Sequence, residues 1–461
     1  MFYLFALDFG KETVMKKITL VIMAVCVILT AAACNKEKKE ESSSAASNSA
    51  SADLTEKTEK TEQTEQTDEA ATEEVPTVSE RQILDVNIQE QYEAYDVEQA
   101  DGRIVTLAEF KYSAVQLSNE SAERYPDLAA VLEMDTAAQE NFSRDDYKML
   151  IQQAEENLAL GGEGFEPLTS SLDVQVRRAD STAFSVLYDS YYYNGMNGGA
   201  RYFWGGNYDT ETGIALYLPE VVTDIEGFAK VVEDKLFSTF GEEVFHNETI
   251  ITAHFNEFGE FGTHWTLDYN GVTVYFSEGE IADAGVGCLN VTVTFAENPE
   301  LFNEKYTKAP DAYIVSLPTK CVFHTDLDGN GDCEDLVITD SYDEDAYVTA
   351  EIYSADNSYA DSFPAYSCEP YYVKTADGKH YLYLFTEQET QMYLYVYDIS
   401  DKALNRTGEA NVSPYYNDGI SAVPTDPDRM HFDIFGDGAG GGVSDEDALF
   451  SIDADGMPVQ K

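Results

Sequence analysis

One tract decides where this chain can build a core. Residues 35–81 consist almost wholly of Glu, Lys, Ser, Thr and Ala. Such a segment cannot bury enough apolar surface to offset the entropy of ordering it. Any hydrophobic core therefore lies downstream of residue 81, and the tract reads as a solvated acidic tether. Flexible-chain scaling gives a tether of this length a root-mean-square span of roughly 35 to 40 Å.

The segment upstream has the layout of an export signal. Residues 15–34 carry two lysines, an apolar run and small residues that end at Cys34. The run is short for a spanning helix, which takes about 20 apolar residues, so residues 1–34 read as a removable leader. Met15 begins that layout better than Met1, because acids precede the lysines in the stretch between them. With Ala31, Ala32 and Ala33 ahead of the thiol, the segment resembles a bacterial lipobox, although Ala31 stands where Leu is commonest. The resemblance implies acylation of Cys34 and a lipid-anchored place on the extracytoplasmic face of the cell membrane.

The balance of 28 basic and 86 acidic groups gives a formal net charge of -58. A field of that sign repels phosphate, which excludes nucleic acid as a partner, and it attracts cationic proteins or metal ions. Beyond the leader, Cys288, Cys321, Cys333 and Cys368 remain. Four cysteines in so long a chain do not make a disulfide scaffold, and spacing does not separate their three full pairings.

Residues 82–309 alternate strands and helices. Apolar runs on either side of Asp101-Gly102 read as opening strands. Helices are expected over residues 120–132 and 143–160, the second started by Ser143 and ended by Gly161-Gly162, with a third over residues 224–240. Strand runs near residues 172–193 and 200–222 turn at residues 209–213, and Asn270-Gly271 is a hairpin dipeptide. The order implies an α+β domain: an antiparallel sheet with helices on one face.

The run YYYNGMNGGARYFWGGNYDTETGIALYLPEVV from Tyr191 and the run DYNGVTVYFSEGEIADAGVGCLNVTV from Asp268 resemble the extracellular, RsiV-like domain of lysozyme-sensing anti-sigma factors. That domain also precedes the catalytic module of some wall polysaccharide deacetylases. Asn194, Gly198, Gly199, Ala200, Asn207, Asp209, Thr212, Gly213, Tyr275, Phe276, Glu280, Ile281, Ala282 and Gly287 stand at the family's positions, over residues 82–297. Arg201 replaces the family's His. The resemblance implies a wall-side binding module for a cell-wall component or a cationic protein such as lysozyme, and makes Tyr192, Asn194, Gly198, Gly199, Arg201 and Asp209 the ligand-binding candidates.

Residues 310–461 change to short Tyr- and Val-rich runs, one pair joined at Asp377-Gly378, and predict an all-β C-terminal domain with propeller-like or sandwich-like strands. Within it, TDLDGNGDCEDLVI begins at Thr325. Oxygens at Asp326, Asp328 and Asn330, a Gly at the sixth place and Glu334 at the ninth give the spacing a Ca²⁺ ion needs, with Asp332 lending its backbone carbonyl. Asp335 competes with Glu334 as closing ligand. The twelfth place is Val337, so this is no EF-hand; it resembles the short calcium loops of extracellular β-rich proteins, and such an ion would be structural. The histidines (His246, His254, His264, His324, His380 and His431) form no ligand pair of known spacing, and no GxSxG elbow is present. The expected function is a non-enzymatic surface lipoprotein that binds or senses a wall-side ligand. A wall polysaccharide hydrolase and a purely structural surface protein are the competing classes.

Overall fold

The computed structural model describes residues 83–159, 166–195, 199–245, 264–341, 346–355, 357–388, 391–434 and 448–461. Cys34, the tether, Gly161, Gly162, Gly198, His246 and His254 lie outside the described residues.

A long hairpin opens the fold: β1 (Val86–Glu98) and β2 (Ile104–Leu117), turned at Gly102 with φ of 83°. Helix α1 (Asn119–Arg124) follows, its N-terminus capped by the Ser118 hydroxyl, and then α2 (Pro126–Ala159). The two helices expected here are one. Residues 133–142 contain no Gly or Pro to break the helix, and Ser143 is buried mid-helix with Leu128, Leu132, Tyr147 and Leu150 instead of starting a new one.

The sheet continues with β3 (Leu168–Ala179), β4 (Ala183–Tyr193) and β5 (Ala200–Asp209). Because α2 carries the chain back along the sheet, β3 enters parallel to β2. This corrects the purely antiparallel expectation, though the other ladders among the described residues are antiparallel. A second correction concerns layering. After α3 (Leu218–Val221) and α4 (Ile225–Phe240), the strands β6 (His264–Leu267), β7 (Gly271–Phe276) and β8 (Leu289–Thr294) form a separate three-stranded sheet. Phe228, Val232 and Leu236 of α4 share one core with its Val272, Val274 and Phe276. Asp224 caps α4 by accepting from Gly227 N at 3.0 Å.

Downstream the chain is almost all strand. A four-stranded sheet holds β10 (Val322–Thr325), β11 (Glu334–Ser341), β12 (Tyr347–Tyr353) and β13 (Ser358–Pro364). A five-stranded sheet holds β9 (Tyr313–Ser316), β14 (Ser367–Lys374), β15 (His380–Gln388), β16 (Gln391–Asp398) and β17 (Asn405–Ala410). Another four-stranded sheet holds β18 (Val412–Pro414), β21 (Met430–Ile434), β22 (Ala448–Ile452) and β23 (Pro458–Gln460). The remaining strands, β19 (Tyr416–Asn417) and β20 (Ile420–Val423), rejoin the first sheet, where β20 pairs with β1, and bring it to seven strands. The protein is thus mostly β, a set of open, chiefly antiparallel sheets with few helices.

The centre of the five-stranded sheet is buried on both faces. Tyr381, Tyr383 and Phe385 of β15 join one core with Phe110 and Phe432, while Leu382 and Leu384 join another with Phe323 and Leu336. That is why β9 and the middle of β15 read as unbroken apolar runs, while the edge strand β17 is polar and exposed: successive side chains point to opposite faces, and in the centre of the sheet neither face meets water.

Candidate functional site

The loop from β10 to β11 folds around its own carboxylates. Asp326 Oδ1 accepts from Gly329 N at 2.7 Å and its Oδ2 from Gly331 N at 2.9 Å. Asn330 Oδ1 accepts from Asp332 N at 2.6 Å, and Asn330 Nδ2 donates to Asp328 Oδ2 at 3.2 Å. Gly329 and Gly331 hold φ of 70° and 94°, the left-handed region in which glycine carries no Cβ penalty. Glu334 turns inward from the start of β11, 2% exposed, and its Oε2 takes Leu327 N at 3.0 Å.

The loop gathers Asp326, Asp328 and Glu334, with one oxygen of each within 4.8 Å of the others. Such a set of carboxylate oxygens fits a hard cation. Asp335 points elsewhere, to His324 Nδ1 at 2.6 Å, which leaves Glu334 as the closing carboxylate. Lys402 was not legible as part of this site. From the turn after β16 its Nζ lies 2.8 Å from Asp328 Oδ2 and 2.8 Å from Glu334 Oε1. Its backbone φ is 64°, a strained value for a residue with a side chain. The Lys402 ammonium holds the Asp328 carboxyl below its usual range.

Two clefts flank the loop. One, of about 550 Å³, is lined by Glu297, Asp332, Glu334 and Asp401 together with Lys402 and Tyr359. The other, of about 520 Å³, is lined by Asp326, Asp328, Tyr372, Lys374 and His380. Burial, and then the charge of Lys374, push the His380 imidazole down to about 4. Its Nδ1 shares a hydrogen bond with Tyr372 Oη at 2.5 Å.

The ligand-binding candidates in the first region do not form one cluster. Tyr192 and Arg201 lie on β4 and β5 near their shared hairpin, whereas Asp209 ends β5, eight residues from Arg201, which is roughly 26 Å along a strand. Arg201 works inside the fold. Its guanidinium clamps Asp189 through both carboxylate oxygens, donates to Thr319 O at 3.1 Å and stacks over Phe203. Asp209 pairs with Lys305 at 2.6 Å and takes Thr212 Oγ1 at 2.8 Å. The Asn194 carbonyl accepts from Gln153 Nε2 at 2.8 Å. A Cβ on Gly199 would overlap the Tyr191 ring at 2.1 Å.

Other residues of the two motifs also build the fold. Asn207 Oδ1 takes Ser185 Oγ at 2.7 Å and Leu267 N at 3.0 Å, and its Nδ2 donates to Trp265 O at 2.9 Å, which ties β5 to β6. Gly213, with φ of 65°, leaves room for the backbone of Asp127, 2.6 Å from where a Cβ would stand.

No protein-family model matches the chain, and no curated protein matches its sequence. Among solved structures it is similar to a DUF3298-family protein of Bacteroides fragilis, at 10% identity and a TM-score of 0.36, over 49% of this chain and 96% of that one. It is also similar to a DUF3298-family protein of Pseudomonas aeruginosa, at 16% identity and a TM-score of 0.30, over 48% of this chain and 98% of that one.

Proposed function

We propose that this protein is a surface lipoprotein, anchored through Cys34, that captures a cationic wall-side ligand without turning it over. The cleft of about 550 Å³ carries the reading: it sets Glu297, Asp332, Glu334 and Asp401 against Lys402. A ligand amine or guanidinium entering there meets carboxylates that outnumber the resident cation, and a net charge of -58 steers such a ligand toward the surface. A cationic protein such as lysozyme, or a wall component bearing free amines, has that chemistry.

The acidic loop is proposed to take a structural Ca²⁺ ion on Asp326, Asp328 and Glu334, with Lys402 swinging out as the ion enters. Calorimetric titration of the full chain with lysozyme and with muropeptides tests the capture. Saturable binding that weakens with salt and releases no product supports it; product release turns the reading to a wall hydrolase, and no saturation by either probe refutes it. In the same protein, excess Ca²⁺ should raise the melting temperature, and Asp326→Ala or Asp328→Ala should abolish the rise. An unchanged melting curve removes the calcium claim.

A further inference from the structure

A second cluster of ligating side chains lies beside the same loop, and two of its three donors are not those calcium uses. Glu297, just after β8, His324 on β10 and Cys333, just before β11, each present one ligand atom within 4.8 Å of the others. His324 is held in place by its outer nitrogen: Nδ1 lies 2.6 Å from Asp335 Oδ1. Its inner nitrogen, Nε2, lies 3.2 Å from Lys235 Nζ of α4. An ammonium has no lone pair, so Nε2 must accept there and the ring proton must sit on Nδ1, donated to Asp335. This is the tautomer that presents a lone pair to a metal, with the carboxylate behind it that metal-bound histidines ordinarily have.

Glu297 is divided in the same way. Its Oε2 is occupied by Lys235 Nζ at 2.8 Å and by Thr294 Oγ1 at 2.8 Å, while Oε1 faces His324 Nε2 at 3.8 Å. Metal–ligand bonds of ~2.0 to 2.3 Å at tetrahedral angles put neighbouring ligand atoms roughly 3.3 to 3.6 Å apart. The donors therefore stand close to a working geometry without a change of fold. Glu297 and Cys333 also line the cleft of about 550 Å³, so a fourth coordination position opens toward it.

We propose that Glu297 Oε1, His324 Nε2 and Cys333 Sγ bind one divalent ion of the zinc class. A thiolate, an imidazole and a carboxylate suit zinc, and they suit calcium or magnesium poorly. On binding, the Cys333 thiol loses its proton to solvent and the sulfur becomes a thiolate ligand. Lys235 keeps Glu297 Oε2 but gives up Nε2. Three protein ligands with one open position is the pattern of zinc sites that take a further ligand, so this ion would bind an oxygen or nitrogen donor of whatever enters the cleft.

The test is titration of the full chain with zinc chloride, and with cobalt(II) as a spectroscopic probe, in the presence of excess Ca²⁺ to fill the acidic loop. One equivalent should bind, with a cobalt–thiolate charge-transfer band in the near ultraviolet. Cys333→Ser and His324→Ala should each abolish the band. Asp335→Ala, which leaves all three ligands in place, should weaken binding by about 10- to 100-fold. Lys235→Met should tighten it by about fivefold or more, because it removes a like charge near the ion. Circular dichroism checks the fold of each variant. If one does not fold, the wild-type cobalt spectrum decides alone: a thiolate band upholds the site, and its absence overturns it. Zinc binding that survives both ligand substitutions in folded protein also overturns it.

Discussion

Asp268→Ala should be among the most damaging substitutions in this fold. Asp268 lies in the turn between β6 and β7, and Arg177 lies on β3; their side chains are 1% and 2% exposed. The carboxylate accepts four hydrogen bonds, from Arg177 Nε at 3.0 Å, Arg177 Nη2 at 2.6 Å, Thr266 Oγ1 at 2.9 Å and Thr273 Oγ1 at 2.7 Å. Arg177 Nη1 then reaches Ser316 O at the end of β9 at 2.7 Å, so one side-chain pair joins three sheets. Removing the carboxylate strands a guanidinium in the interior, which costs about 3 to 5 kcal/mol. Domains are stable by only about 5 to 15 kcal/mol, so the loss is a large part of the total. Urea denaturation followed by tryptophan fluorescence measures it, since Trp265 is buried three residues away. The double variant Arg177→Met/Asp268→Leu should recover most of the loss, because it leaves no unpaired charge. The reasoning fails if Asp268→Ala stays within about 1 kcal/mol of wild type, or if the double variant is no more stable than the single.

Two further predictions follow from burial and close approach. The His380 imidazole, 7% exposed, titrates near 4 in the folded protein and near 6.5 unfolded. The unfolded chain therefore takes up the proton first, and stability that is complete above pH 6.5 is lost as pH falls toward 4. The difference is about 3 kcal/mol, and His380→Gln should flatten that part of the pH profile; an unchanged profile in urea melts at stepped pH counts against it. At Gly205 an added Cβ would stand 1.8 Å from the Trp265 carbonyl oxygen. Gly205→Ala should then push β5 from β6 and cost about 1 to 3 kcal/mol in the same assay, whereas a neutral substitution would mean the sheets do not meet there.

Local chemistry was readable along the chain wherever a few neighbouring residues decide the outcome. Asn270-Gly271 and Asp377-Gly378 do turn hairpins, the helix expected over residues 224–240 does form as α4, and the acidic run does fold into a loop between two strands. Ser143 misled because a serine followed by acids has the chemistry of a helix start, and what decides its role is the sheet beneath α2. The pairing of β20 with β1 was also hidden. It joins strands at opposite ends of the folded chain, across the boundary expected at residue 310, and short alternating strands carry no label for a partner. Lys402 and Lys235 escaped notice for the same reason: each meets its carboxylate from a distant turn or helix, and a lone lysine in a sequence looks like a solvated one.

The doubly covered sheet raises a question about how its strands find their alignment. An ordinary strand is kept in step because a shift by a single residue would drive its polar side inward, but β15 and β16 have apolar residues on both sides and gain no such protection. Bulk does the work instead. Leu382 faces Tyr397, Tyr383 faces Val396, Leu384 faces Tyr395 and Phe385 faces Leu394, a ring always opposite a branched chain. Shifted by one, rings would meet rings and leave thin spots between them, which a close-packed interior does not tolerate. In this sheet the size of each side chain, more than its polarity, is the information that selects one alignment.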